Sequence, residues 1–156
     1  MTRACRHGLV LWLLTFLFFL RVIGQVLVAL FDVSFLPEMA AWYSGLLPYP
    51  ILLPIQGIIL LLQVKIGADF ARGRGFFVRP RPAAGRALLW ISYLYAAAML
   101  VRYLVTRTHL IPIVFHWVLA AYLFTLGHFH TRAASPNERR PPGGTGDERA
   151  GYFSPR

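Results

Sequence analysis

Four long apolar segments constrain this sequence more than any other feature. They cover residues 8–31, 46–66, 86–106 and 109–129. At a rise of 1.5 Å per residue, about 20 helical residues cross a hydrocarbon core of roughly 30 Å. The segments are continuously apolar, whereas the strands of a membrane β-barrel alternate between apolar and polar residues. We therefore expect an all-α integral membrane bundle of four transmembrane helices.

These helices use nearly the whole chain of 156 residues, so no room remains for a separate catalytic domain. The first segment also fits a signal peptide, but no Ala-x-Ala cleavage site follows Leu20, which favours an uncleaved helix. Residues beyond 132 are rich in Pro, Gly and charge and lack apolar periodicity. The predicted organisation is a four-helix transmembrane domain over 1–130 and a disordered cytoplasmic tail over 131–156.

The basic residues predict the orientation of the helices. Outside the apolar segments they fall in the N-terminus, in the loop after the second segment and in the tail, whereas the first loop holds Asp32 and Glu38 and no basic residue. Arg107, beside the short outer turn, is the exception. The positive-inside rule then places both termini in the cytoplasm. Arg, Ala, Gly and Pro in place of Lys and Asn indicate a GC-rich bacterial genome. The expected location is thus the bacterial inner (cytoplasmic) membrane, crossed several times.

Both longer loops are predicted to lie against the lipid. Residues 36–45 of the outer first loop suit a short interfacial helix that ends at Gly45, with Trp42 and Tyr43 at headgroup level. A lid over a site is the alternative. In the second loop four arginines interleave with Gly, Phe and Pro, which favours contact with anionic lipid headgroups over nucleic acid. These arginines are Arg72, Arg74, Arg79 and Arg81.

Polar residues inside the apolar segments carry most of the functional information, because ionisable side chains are costly in a bilayer and usually face the bundle interior. At 100° per residue, spacings of four and seven align polar side chains on one face of each helix. With both termini inside, five of them fall in the outer half of the membrane or at its midplane: Arg21, Gln25, Gln56, Arg102 and His116. Lys65 and Asp69 belong to the inner interface instead. We expect an outward-facing cationic ligand pocket formed by Arg21, Gln25, Gln56, Tyr95, Arg102 and His116.

Several kinds of chemistry lack their sequence signals. The single cysteine, Cys5, excludes an internal disulfide or a thiol relay. His128 and His130 lie about 200° apart on a helix, so they make a poor metal site, and we expect no metal. Nucleotide-binding and serine-hydrolase motifs are absent. The sequence identifies no cofactor.

Three functions of different classes remain. The sequence favours a small non-enzymatic multi-pass protein that acts through helix packing, either with itself as a homo-oligomer or with a membrane partner subunit. Gln and His side chains would then serve as interhelical hydrogen bonds. The alternative is an accessory redox or ligand-binding membrane subunit, whose cationic pocket takes an anionic or quinone-like ligand. A small transporter or channel subunit is a third hypothesis, and it would require an oligomer.

Overall fold

The computed structural model describes residues 3–31, 35–37, 49–106 and 110–132. In this part of the chain there are helices and turns but no strands. The helices are α1 (Arg3–Phe31), α2 (Tyr49–Arg72), α3 (Pro82–Thr106) and α4 (Leu110–Arg132). Each is long and apolar enough to span a membrane. The expected all-α class and the four candidate membrane-spanning helices are confirmed.

All four helices extend past their apolar segments at the same end of the molecule. α1 begins five residues before position 8, α2 continues to Arg72, α3 begins at Pro82 and α4 continues to Arg132. The reason is that apolar composition marks the part of a helix that lies in lipid, while the backbone hydrogen bonds continue until a residue ends them. Proline suits the first turn of α3, because its missing N–H would have no partner there.

The end of α2 is set by Gly73, which has a φ of 61°. Its backbone N–H donates to the Phe70 carbonyl oxygen at 3.2 Å, and the N–H of Arg74 donates to the Asp69 carbonyl oxygen at 3.2 Å. This pair of bonds is a Schellman motif, in which a left-handed residue allows the last carbonyls of the helix to be used. Glycine occupies that conformation without the steric cost of a Cβ atom.

The helices form a row in the order α2, α1, α4, α3. Close backbone approaches join α1 to α2, α1 to α4, and α3 to α4, and none joins α2 to α3 in the described residues. Neighbours in the row are antiparallel, as shown where Gly8 packs on Phe70 and where Tyr93 packs on Phe124. The row bends enough for the Phe70 and Phe129 rings, on α2 and α4, to meet at 4.7 Å.

The two faces of the molecule at which the helices begin and end differ in charge. The Arg-rich end is formed by the start of α1, the end of α2, the start of α3 and the end of α4, with the turn that joins α2 to α3. It carries Arg6, Arg72, Arg74, Arg79, Arg81, Arg86 and Arg132. At the opposite end, the nearest described basic residue is Arg102. The charge asymmetry of the sequence is therefore an asymmetry of the folded helices as well.

The densest apolar packing also lies toward the Arg-rich end. Buried side chains of three helices form this core: Leu11, Ile66, Phe70, Tyr122, Leu126 and Phe129. α3 is attached to this group of helices by its close approach to α4, where a Cβ atom added at Gly127 would lie 2.9 Å from the Gly85 carbonyl oxygen. Small residues permit such contacts between membrane helices.

Some sequence predictions fall outside the described residues. The interfacial helix over 36–45 lies almost wholly there, as do Asp32 and Glu38 and the tail from 133 onward. Positions 131 and 132, assigned to the tail from the sequence, belong to the last turn of α4.

Candidate functional site

Arg21 is buried among the helices of the protein. It lies ten residues before the end of α1, about 15 Å along the helix axis, and only 5% of its surface is exposed. Its Nη1 donates a hydrogen bond to Oε1 of Gln25, one helical turn later, at 2.9 Å. A guanidinium at this depth has been removed from both water and lipid, so its surroundings must be supplied by protein or by something bound to it.

Gln25 connects this charge to the neighbouring helix. Its Oε1 accepts a second hydrogen bond, from Nε2 of Gln56 on α2, at 3.2 Å. Gln25 is completely buried and Gln56 is 4% exposed. Within the described residues, Nε2 of Gln25 and Oε1 of Gln56 have no hydrogen-bond partner. One donor and one acceptor are thus left unsatisfied beside a buried cation, which costs free energy.

The third side of the site comes from α4. The Phe115 ring lies under Arg21, with 5.9 Å between the guanidinium carbon and the ring centroid, a cation–π distance. The next residue, His116, also lies within electrostatic range of Arg21. Nδ1 of His116 is bonded to the Pro112 carbonyl oxygen. Because a carbonyl only accepts, Nδ1 carries the proton in this bond.

The fourth side comes from α3. The Tyr95 ring packs on His116 at 5.7 Å between centroids and lies within electrostatic range of Arg21. Arg102, seven residues after Tyr95, is half-buried and acts electrostatically on His116. Hydrogen bonds and ring contacts thus join Arg21 to Gln25 and Gln56, and Tyr95 to His116, and the charges of Arg21 and Arg102 both act on His116. The six side chains singled out from the sequence come from all four helices. This Arg21 cluster consists of Arg21, Gln25, Gln56, Tyr95, Arg102 and His116.

The Arg21 cluster contains two guanidinium groups and no carboxylate among the described residues. Asp69 is the only carboxylate in the described part of the chain, and its Oδ1 accepts a hydrogen bond from Nζ of Lys65 at 2.6 Å. It lies 13 residues beyond Gln56 on α2, about 20 Å along the axis. Within the part of the chain that the structure describes, the one carboxylate therefore lies at the Arg-rich end, away from Arg21.

The four arginines expected at lipid headgroups lie away from this cluster. Arg72, Arg74, Arg79 and Arg81 are all exposed at the Arg-rich end. The Arg81 guanidinium lies 3.7 Å from the centroid of the Phe76 ring, a cation–π contact that holds the side chain over the turn between α2 and α3.

The sequence did not reveal a second group of buried polar atoms. A cavity of about 380 Å³ lies between α2 and α3, on the side chains of α4, and is lined by Gln63, Arg81 and His130 among apolar residues. Gln63 is 2% exposed, and neither atom of its amide has a hydrogen-bond partner within the described residues. Its spacing of seven from Gln56 placed it on the same face of α2, but nothing in the sequence indicates that α2 and α3 are separated by a gap.

Phe115, beneath Arg21, was also missed in the sequence, since an apolar residue in an apolar helix does not stand out.

These features define the chain as a helical protein with four candidate membrane spans and a buried cationic cluster. Among the described residues, no group of three or more His, Cys, Asp or Glu side chains could hold a metal ion. No protein-family model, curated protein or solved structure matches this chain.

Proposed function

We propose that this chain is a small, non-enzymatic multi-pass protein of the bacterial inner membrane that binds an anionic or quinone-like ligand at the Arg21 cluster. It would act as an accessory redox or ligand-binding subunit. One observation carries the proposal: Arg21 is buried in the protein interior next to unsatisfied amide atoms, and no described carboxylate neutralises it. Buried charges are normally paired, and an anion would supply the missing partner.

The chemistry of the cluster fits ligand oxygens in particular. Arg21 and Arg102 each present a planar fork of N–H donors, which suits a carboxylate or a phosphate. Nε2 of Gln25 is a further donor without a partner in the described residues. A quinone carbonyl could accept from the same groups, and the Tyr95 and Phe115 rings provide apolar contact. The two ligand types thus require the same donors.

The orientation is part of this proposal. The basic residues of the Arg-rich end support a cytoplasmic location for that end and for both termini, by the positive-inside rule. The Arg21 cluster, roughly 6–17 Å from the opposite end along the helices, would then be reached from outside. Cys5 tests this directly, because it is the single cysteine, is exposed and lies at the Arg-rich end. We expect a membrane-impermeant maleimide to label Cys5 in inverted vesicles and not in intact spheroplasts. Labelling in intact spheroplasts would show that the Arg-rich end faces outward, the opposite of the proposed orientation.

Ligand retention tests the cluster. The full chain is purified in a mild detergent, and bound small molecules are identified by mass spectrometry and by an absorption spectrum. We expect an organic anion or a quinone in the wild type, and its loss in Arg21→Gln and Arg102→Gln. Arg86→Gln is the matched control, since it removes an exposed arginine from the same helix as Arg102.

Two results would refute the ligand proposal. One is a wild-type protein, monodisperse and helical, that carries no small molecule other than detergent and lipid. The other is a ligand that Arg21→Gln and Arg102→Gln retain as fully as Arg86→Gln. Asp32→Asn and Glu38→Gln are measured in the same series. If either acid were the counter-ion of the buried arginine, the cluster would not need an anionic ligand.

Helix packing with a second copy or a membrane partner is the second candidate function. It is favoured by the position of α3 at the edge of the row, where among the described helices its backbone closely approaches only α4, and where large apolar side chains such as Trp90 and Leu94 are exposed. The test is a Trp90→Cys substitution in a Cys5→Ser background, followed by oxidative crosslinking in membranes. Dimers would support self-association through α3, and monomers at all protein levels would contradict it.

A further inference from the structure

A second basic site lies at the Arg-rich end, in a groove between α1 and α4. The groove encloses about 610 Å³ and is lined by Arg6 and His7 of α1 and by His128 and Arg132 of α4. The His7 and His128 rings face each other across it, with 5.9 Å between their centroids. No carboxylate lines it among the described residues. The groove therefore joins two arginines and two histidines from two helices, separate from the Arg21 cluster.

The same groove continues as an apolar channel toward the middle of the helices. Val10 lies one helical turn from Arg6, about 6 Å along α1, and Phe124 lies eight residues before Arg132, about 12 Å along α4. Leu9, Val10 and Phe124 are all exposed. On a membrane-spanning helix such side chains lie at the depth of the acyl chains, while Arg6 and Arg132, near the helix ends, lie at the depth of the headgroups.

We infer that this groove is a specific site for one anionic phospholipid. The phosphate lies between Arg6 and Arg132, whose guanidinium forks match phosphate oxygens. The imidazoles of His7 and His128 lie on the two sides of the groove, and an acyl chain follows Leu9, Val10 and Phe124. Basic pockets between transmembrane helices are a known form of acidic lipid recognition. The inference rests on the membrane location of the four helices and is independent of a ligand at the Arg21 cluster.

In this groove, basic residues near the helix ends are followed by exposed apolar side chains, and this arrangement favours a lipid over a soluble anion. A free phosphate would need the basic residues alone, whereas here they open onto exposed apolar side chains along two helical turns. Arg72 and Arg74 provide the contrast: they lie at the same end of the molecule and are exposed, but they do not line this groove. Diffuse attraction of the Arg-rich end to acidic lipids would involve both groups equally.

Native mass spectrometry of the full chain in a mild detergent tests the inference, with phosphatidylglycerol as the probe and phosphatidylcholine as the zwitterionic comparison. The groove variant is Arg6→Gln with Arg132→Gln. The control is Arg72→Gln with Arg74→Gln, which removes the same charge from the same end. Each basic residue near an acidic lipid contributes a factor of about five in affinity. We expect the first phosphatidylglycerol to bind the groove variant about 25-fold more weakly, and the control within about twofold of the wild type.

Three outcomes would overturn the inference: equal losses in the groove variant and the control, unchanged binding in the groove variant, or equal affinity of the wild type for the two lipids. Because Arg6 and Arg132 are exposed, both double variants should keep the helical content and monodispersity of the wild type. A further variant, Phe124→Ala, leaves every charge in place. It should weaken phosphatidylglycerol binding while a short-chain analogue of the same headgroup binds as before, and a loss for both would contradict the acyl-chain channel.

Discussion

Three glutamines on α1 and α2 are buried to similar extents but are bonded differently, so the same substitution should change stability in different directions. Gln25 accepts two hydrogen bonds, Gln56 donates one, and neither amide atom of Gln63 has a partner in the described residues. Leucine has a similar volume and no polar atoms. Replacing each glutamine by leucine in turn therefore measures the polar contribution at each position with little change in packing.

The magnitudes follow from the bonds. Gln25→Leu removes a charge-assisted bond from Arg21, worth about 1.5–3 kcal/mol, and a neutral bond from Gln56, worth about 0.5–1.5 kcal/mol. It also leaves the guanidinium without its acceptor. The expected loss in free energy of unfolding is about 2–4 kcal/mol. Gln63→Leu removes two buried unsatisfied groups and should stabilise the protein by about 1–3 kcal/mol. Gln56→Leu loses one bond but also removes an unsatisfied oxygen, so we expect it to stay within about 1 kcal/mol of the wild type.

Reversible unfolding in mixed micelles of a mild detergent and dodecyl sulfate, followed by helical circular dichroism, gives the three free energies. The predicted order of stability is Gln63→Leu, then Gln56→Leu, then Gln25→Leu. Membrane hydrogen bonds are weakened by partners available in the unfolded state, which reduces the differences but not their order. Gln25→Leu as stable as the wild type would refute the bonding of Arg21 through Gln25. A destabilised Gln63→Leu would show that the Gln63 amide is used, by a ligand in the adjacent cavity or by another chain.

Two further predictions concern backbone geometry. Gly127→Val should destabilise the α3–α4 contact by about 1–3 kcal/mol, because a Cβ atom there meets backbone of α3 within 3.0 Å. Gly57→Ala, with nothing within 4 Å of the added Cβ atom, should be neutral or stabilising. Equal effects of the two substitutions on thermal unfolding would contradict the close approach. Gly73→Ala should cost about 1–2 kcal/mol for its left-handed φ alone. Gly75→Ala should lower the midpoint of thermal unfolding further, since its φ is 138° and a Cβ atom would collide with the Asp69 carboxylate; the reverse order of the two variants would refute this account of the turn.

The sequence predicted the helices well because a bilayer imposes a simple rule of length and polarity. The same rule explains the errors at the helix ends: Arg3 and Arg132 are helical although they lie outside the apolar segments. Spacing along each helix also predicted which polar residues share a face. Arg21 and Gln25 lie four residues apart and are hydrogen-bonded, as a helical turn requires.

The neighbour relations between helices could not be predicted in the same way. Gln56 and Gln63 share a face of α2, yet Gln56 meets α1 while Gln63 borders a gap, because the row leaves α2 and α3 apart. Membrane helices have apolar surfaces all round, so hydrophobic periodicity does not indicate which side packs. Phe115 and the basic groove between α1 and α4 depend on the same three-dimensional information.

The arrangement in a row has a mechanical consequence. α1 with α2, and α3 with α4, form two hairpins, and the helix-to-helix seam between them is the contact of α1 with α4, supplemented by side chains of α2. The nine residues 73–81 that tether the hairpins span the open side rather than the seam. A rotation about the seam would open or narrow the space between α2 and α3 while each hairpin stayed intact. The molecule thus consists of two hairpins that meet along α1 and α4, and the buried Arg21 lies beside this contact, against Phe115.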